Sequence, residues 1–153
     1  MSANAVERLV EAKIAAAIAA AVAPLQVFDF WTAAAAGTEK QRPLSYIDVC
    51  VMPRVGVAHN SDAVTFRSFI NIVCAVADDA TGAKLPTAFE AVNGVIGAWD
   101  SDDDAAAASL DVDGAFRCDA VMFADGGDCG FDSAAQVWFA TVMLDVKGYV
   151  LRT

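Results

Sequence analysis

The sequence predicts an α+β fold, a largely antiparallel sheet of about four main strands with an N-terminal helix and one central helix packed on it. Three patterns carry that prediction. Residues 64–77 alternate at period two, with Val64, Phe66, Ser68, Ile70, Ile72, Cys74 and Val76 on one face. Residues 84–99 repeat apolar side chains at Leu85, Phe89, Val92, Ile96 and Trp99, the spacing of a helix with one core-facing stripe. Residues 135–151 alternate again, with Trp138, Ala140, Val142, Leu144 and Val146 opposite Val137, Phe139, Thr141, Met143, Asp145 and Lys147.

Residues 3–23 form the N-terminal helix. Val6, Leu9, Val10, Ile14, Ile18 and Val22 keep helical spacing, the charges at Glu7, Arg8, Glu11 and Lys13 fall on other faces, and Pro24 stops the helix. The uncharged run after Lys13 and the sequence Ala21-Val22-Ala23 imitate a secretion signal. Glu7 and Glu11 cancel the positive leading charge such a signal needs, and the run is too short for a membrane span of about 20 residues. The aromatic run from Leu25 to Trp31 reads as a first edge strand. Thr32 to Pro43 reads as an exposed loop, in which the alanines before Gly37 have the composition of one helical turn.

Residues 45–58 alternate with Ile47, Val49 and Val51 on one face; Pro53 implies a bulge, after which the strand continues through Val55 and Val57. Asn60-Ser61-Asp62 then turns the chain into the 64–77 strand, making a β-hairpin. Asp78, Asp79, Thr81 and Gly82 supply the next turn, and Pro86 falls in the first turn of the central helix, where its missing N–H costs nothing. Residues 109–124 read as a third long strand, bulged at Gly114, which pairs with 135–151 across a flexible acidic connection, Asp125 to Asp132.

The whole chain, 1–153, reads as a single domain able to bury about two thirds of its unfolded surface. Its formal charge of −10 excludes binding to nucleic acid by phosphate neutralisation. Cys50, Cys74, Cys118 and Cys129 show no C-x-x-C spacing and read as small hydrophobes of a reducing compartment. His59, in the turn sequence before Asn60 and Ser61, has no cysteine or second histidine nearby and reads as a loop histidine. Asp100, Asp102, Asp104 and Asp111 match the 1, 3, 5 and 12 positions of a calcium loop, but Ala105 stands where its turn requires glycine and Asp111 is shorter than the usual glutamate. An acidic solvated loop is the better reading. Gly126, Gly127 and Gly130 lack the helix, lysine and hydroxyl of a phosphate-binding loop. The expected catalytic, cofactor-binding and metal-binding residues are therefore none, and the chain reads as no enzyme.

A mean hydropathy of +0.45, with 57% hydrophobic residues, exceeds ordinary usage. Alanine accounts for part of it; the rest includes apolar residues such as Phe69, Val73, Phe139 and Met143 on the second face of their strands, which suggests surface covered by other subunits.

The element order, the chain length, the acidic balance and the long final strand Gln136-Val137-Trp138-Phe139-Ala140-Thr141-Val142-Met143-Leu144-Asp145-Val146 together resemble the tail terminator proteins of long-tailed bacteriophages, from about Val6 to Val150. The resemblance implies a structural virion protein without cofactor, made in the host cytoplasm and placed at the head-proximal end of the tail. It would form a ring, usually hexameric, that caps the tail tube and meets the head-tail connector, with DNA passing through without specific binding and no membrane partner. The Thr32 to Pro43 loop and the Asp100 to Asp113 acidic stretch match no family feature. Another tail or neck protein, such as a tube or head-completion protein, or else a small calcium- or ligand-binding domain, are the competing readings.

Overall fold

The computed structural model describes residues 5–37, 42–53, 62–79, 81–124 and 128–151. The elements run α1 (Val6–Val22), β1 (Gln26–Asp29), α2 (Phe30–Ala36), β2 (Ser45–Val51), β3 (Ala63–Ala75), α3 (Lys84–Ser101), α4 (Asp103–Leu110), β4 (Phe116–Phe123), β5 (Cys129–Asp132) and β6 (Val137–Val150). They build one six-stranded sheet in the order β1-β2-β3-β6-β4, with β5 also on β6. The α+β class agrees with the expectation; among the described residues the count is six strands and four helices rather than about four and two.

Both expected strand pairings form. β2 pairs antiparallel with β3, and β4 with β6, while the longest ladder joins β3 to β6 from Ala63↔Tyr149 to Ala75↔Val137. The edge strand expected near Leu25 is β1, parallel to β2 through the short α2 crossover, so the sheet is not wholly antiparallel. β4 and β5 lie end to end on the same edge of β6. Phe123 opposes Leu144 and Cys129 opposes Ala140, so the two ladders are separated by three residues of β6.

Four expectations are corrected. Residues 30–36 are helical: Phe30 and Trp31, expected in the edge strand, open a helix that continues through the alanines, which have the composition of one helical turn within the expected loop, because an alanine run outweighs the lack of a periodic apolar face. The acidic stretch contains α4. Asp102 Oδ1 accepts the N–H groups of Asp104 and Ala105, Asp103 and Asp104 sit in the first turn where the helix dipole favours carboxylates, and four alanines follow. Consequently the third strand begins at Phe116, not 109, with Gly114 at φ 72° in the turn before it and the bulge between Cys118 and Ala120. The Asp125 to Asp132 connection contributes β5 over its last four residues. β2 ends at Val51; the continuation through Pro53 to Val57, and His59, fall on or border residues outside those described.

One face of the sheet is covered by α1, α3 and α4 around a core of Ile14, Ile18, Ile47, Phe66, Ile70, Ile96, Leu110, Phe116 and Leu144, all essentially inaccessible. Along α3 the buried residues are Ala88, Val92, Ile96 and Trp99. Phe89, expected in that stripe, is 38% exposed. Ile96→Ala is expected to destabilise the chain by about 2–5 kcal/mol and Phe89→Ala by well under half as much. Urea titration of the two variants checks this, and equal midpoints would mean that α3 is rotated from its position here.

α1 carries a second surprise. Glu7 and Glu11, expected on solvent faces, share the buried stripe with Val10, Ile14, Ile18 and Val22. The Glu11 carboxylate accepts the backbone N–H of Trp31 through Oε1 and that of Val51 through Oε2, both at 2.9 Å. Trp31 Nε1–H donates to the Val51 carbonyl at 2.9 Å. A closed polar triangle thus fastens the start of α2 and the end of β2 to the first helix. Burial raises the Glu11 pKa to about 7, against the lowering effect of the two N–H donors.

Candidate interaction face

Strand alternation sends one set of side chains under the helices and the other to the far face of the sheet. On that open face Tyr46, Asp48 and Cys50 of β2 oppose Val73, Asn71 and Phe69 of β3, and these in turn oppose Phe139, Thr141 and Met143 of β6. Each of the nine is half-buried, shaded by its neighbours and, among the described residues, outside the helix-covered core. Several polar groups on the face are paired within it. Thr141 Oγ1 donates to Asn71 Oδ1 at 2.9 Å in the middle of the apolar field. Arg67 grips both carboxylate oxygens of Asp145 at 3.0 and 3.1 Å.

The β1 end of the face is closed by Arg42. Its guanidinium stacks 4.3 Å above the Phe28 ring and 5.7 Å from Tyr46, while Nη2 meets Asp48 Oδ1 at 2.8 Å. Burial nevertheless holds the Asp48 carboxyl above its usual range. Cys50 is pushed up to about 11 by burial and by the nearby Glu11 and Asp48 carboxylates, which makes it a poor nucleophile at neutral pH.

The residues singled out from the sequence do not gather into a reactive site. Asp102 is engaged in capping α4, Asp111 Oδ1 accepts the N–H of Cys118 at 2.6 Å, and Asp100 and Asp104 belong to successive helices. Among the described residues no three His, Cys, Asp or Glu side chains stand together as metal ligands would. The cysteines are free: Cys74 and Cys118 are buried, Cys50 is half-buried and Cys129 is exposed. A cleft of about 590 Å³ lies between the end of α1 and the start of α3, walled by Val22, Leu25, Leu44, Ala88 and Ala91. Its polar groups serve one another, since Ser45 Oγ donates to Asp78 at 2.7 Å and Asp78 pairs with Lys84. No described helix is long and apolar enough to cross a membrane.

Sequence patterning identified Phe69, Val73, Phe139 and Met143 as apolar residues outside the core face. It missed the Asn71–Thr141 and Arg67–Asp145 pairs, which depend on cross-strand register. That β3 lies beside β6 follows from no local signal, because the two are separated by the whole of α3, α4, β4 and β5.

No protein-family model and no curated protein sequence matches the chain. Among solved structures, a chain from the virion of a native gene transfer agent particle superposes with a TM-score of 0.57 over 91% of this chain and 93% of that one, at 14% identity. At that identity the likeness is one of fold, and it extends over nearly the entire length of both chains.

Proposed function

We propose that this chain is a structural subunit of a phage-like virion, and within it a tail terminator: a ring of about six copies that caps the tail tube and offers the head-joining surface. The observation that supports it is the near full-length likeness in fold to a virion chain. The open sheet face, rich in apolar groups and with Arg67–Asp145 and Asn71–Thr141 paired within it, is consistent with a protein that works by assembly. In this reading the chain performs no catalysis and holds no cofactor. Its partners are its own copies, the tail tube protein and the head-tail connector, and its place is the head-proximal end of the tail. The formal charge of −10 per subunit lets DNA pass a ring without being trapped on it.

A tube or head-completion protein would share the assembly behaviour, so the test separates capping from polymerisation. Negative-stain images of the purified protein should show short rings that shorten or cap tail tubes added to them; long tubes formed by this chain alone refute the terminator reading. On this view the acidic residues bind calcium no better than about millimolar. Calorimetry showing micromolar binding that is lost in Asp102→Ala and Asp104→Ala would support the ligand-binding alternative instead.

A further inference from the structure

We propose that the open face of the sheet, centred on Phe69, Val73, Phe139 and Met143, is the surface through which one copy of this chain docks on a second copy. The inference rests on the assembly reading above and assigns it a surface.

Size is the first argument. β3 spans 13 residues, about 40 Å of strand, and the neighbouring strands add ~4.8 Å each. With β2 at 7 residues and β6 at 14 beside it, the face of these three strands covers on the order of 500 Å², over half of the ~800 Å² that each partner contributes to a stable standard interface, and β1 and β4 extend it on either side.

Charge is the second, and it selects the occupant. On the central strands β2, β3 and β6 the charged side chains of this face, with Arg42 stacked on its end, are Arg42, Arg67 and Lys147 against Asp48 and Asp145, a net of +1. The rest of the chain then carries −10 − 1 = −11. The stretch 84–113 on the helical side holds Glu90, Asp100, Asp102, Asp103, Asp104, Asp111 and Asp113 against Lys84 alone. Two copies meeting helical side to helical side would repel, whereas the open face of one copy can meet a different surface of the next, the heterologous contact that a closed ring requires.

Chemistry is the third. Arg67 with Asp145, Arg42 with Asp48, and Asn71 with Thr141 are satisfied within one copy. A second copy need supply only apolar contact over the centre of the face, while Lys147, exposed towards the end of β6, can keep its charge in water at the rim.

The test is association of the full chain at high salt, measured by sedimentation equilibrium without tail tubes, for wild type, Val73→Glu, Met143→Lys and, on the opposite layer, Phe89→Glu. The first two place an unpaired charge in the contact and are expected to weaken association about 100-fold or more, with Phe89→Glu unchanged. Melting curves confirm that each variant folds. Wild type gives an independent readout: the thioether of Met143, half-buried on this face, should be oxidised more slowly by peroxide as association proceeds. A wild-type chain monomeric at every salt concentration, or one that associates with Met143 oxidation unchanged, overturns the inference. Association through this face with no effect on tail tubes refutes the terminator reading alone. Capping of tubes by Val73→Glu as readily as by wild type refutes the interface alone.

Discussion

Gly148→Ala is expected to be among the most damaging single changes in this chain, costing about 3 kcal/mol or more for the addition of one methyl group. Gly148 lies in β6 between Val64 of β3 and Cys118 of β4, where the β4 bulge draws the Arg117 carbonyl close. A Cβ there would stand 2.1 Å from that oxygen and 2.6 Å from Phe116 Cζ. Real Cβ atoms do not approach backbone so closely, and the carbonyl has no free rotation by which to withdraw. Phe116 is equally confined, packed edge to face on Phe66 at 5.4 Å between centroids. Overpacking normally costs about 1–3 kcal/mol, and a clash with backbone belongs at or beyond the upper end. Urea denaturation followed by tryptophan fluorescence measures it. A midpoint equal to wild type would mean that β4 pairs with β6 in another register.

Glu11→Ala should cost about 2–5 kcal/mol, because it removes the acceptor for two N–H groups, at Trp31 and Val51, that no water reaches easily. The carboxyl also makes stability depend on pH with a definite sign. Folded Glu11 holds its proton to about 7, the unfolded side chain releases it near 4.5. Between these values the folded state binds more protons, so the contribution of this group is complete below about 4.5, falls as pH rises, and is gone above about 7. The full swing is about 3 kcal/mol. Other groups titrate as well, among them Asp48, raised by burial, and Asp79, lowered chiefly by the Lys84 N–H. The clean measurement is therefore the difference between wild type and Glu11→Gln, which cannot ionise. Wild type should lose ground to the glutamine variant by about 3 kcal/mol from pH 5 to pH 8; a difference independent of pH would show that Glu11 is solvated.

Long elements with strong periodicity were legible in the sequence. Ile70, Ile72, Leu144 and Val146 alternate without interruption, and Ile14, Ile18 and Val22 keep one helical face, so β3, β6 and α1 were found close to their observed limits. Phe89 failed for a geometric reason. Positions 88, 92, 96 and 99 repeat as helically as 89, 92, 96 and 99, and hydrophobicity favours the phenylalanine while the sheet beneath receives the alanine. Glu11 was hidden because a carboxylate is presumed solvated until its partners are known, and Trp31 and Val51 lie 20 and 40 residues away. In α4 the run of aspartates has the composition of a solvated loop, although a capping aspartate before an alanine run is also how a helix begins. β1 and β5, four residues each, are too short to show a period at all. The interaction face was half legible: its apolar members were visible in the alternation, and its internal pairing was not.

Assembly is the centre of the account, and mass measured across a salt series, with and without tail tubes, tests it most directly. Six subunits of 15.9 kDa give about 95 kDa, and six charges of −10 give 6 × −10 = −60, so self-repulsion should hold copies apart at low salt and relax as screening increases. The account predicts monomers at low salt, a closed species near 95 kDa at high salt, and ring formation at tube ends that halts tube growth. A chain that stays near 16 kDa at every salt concentration, and neither binds tube ends nor limits tube length, would contradict it.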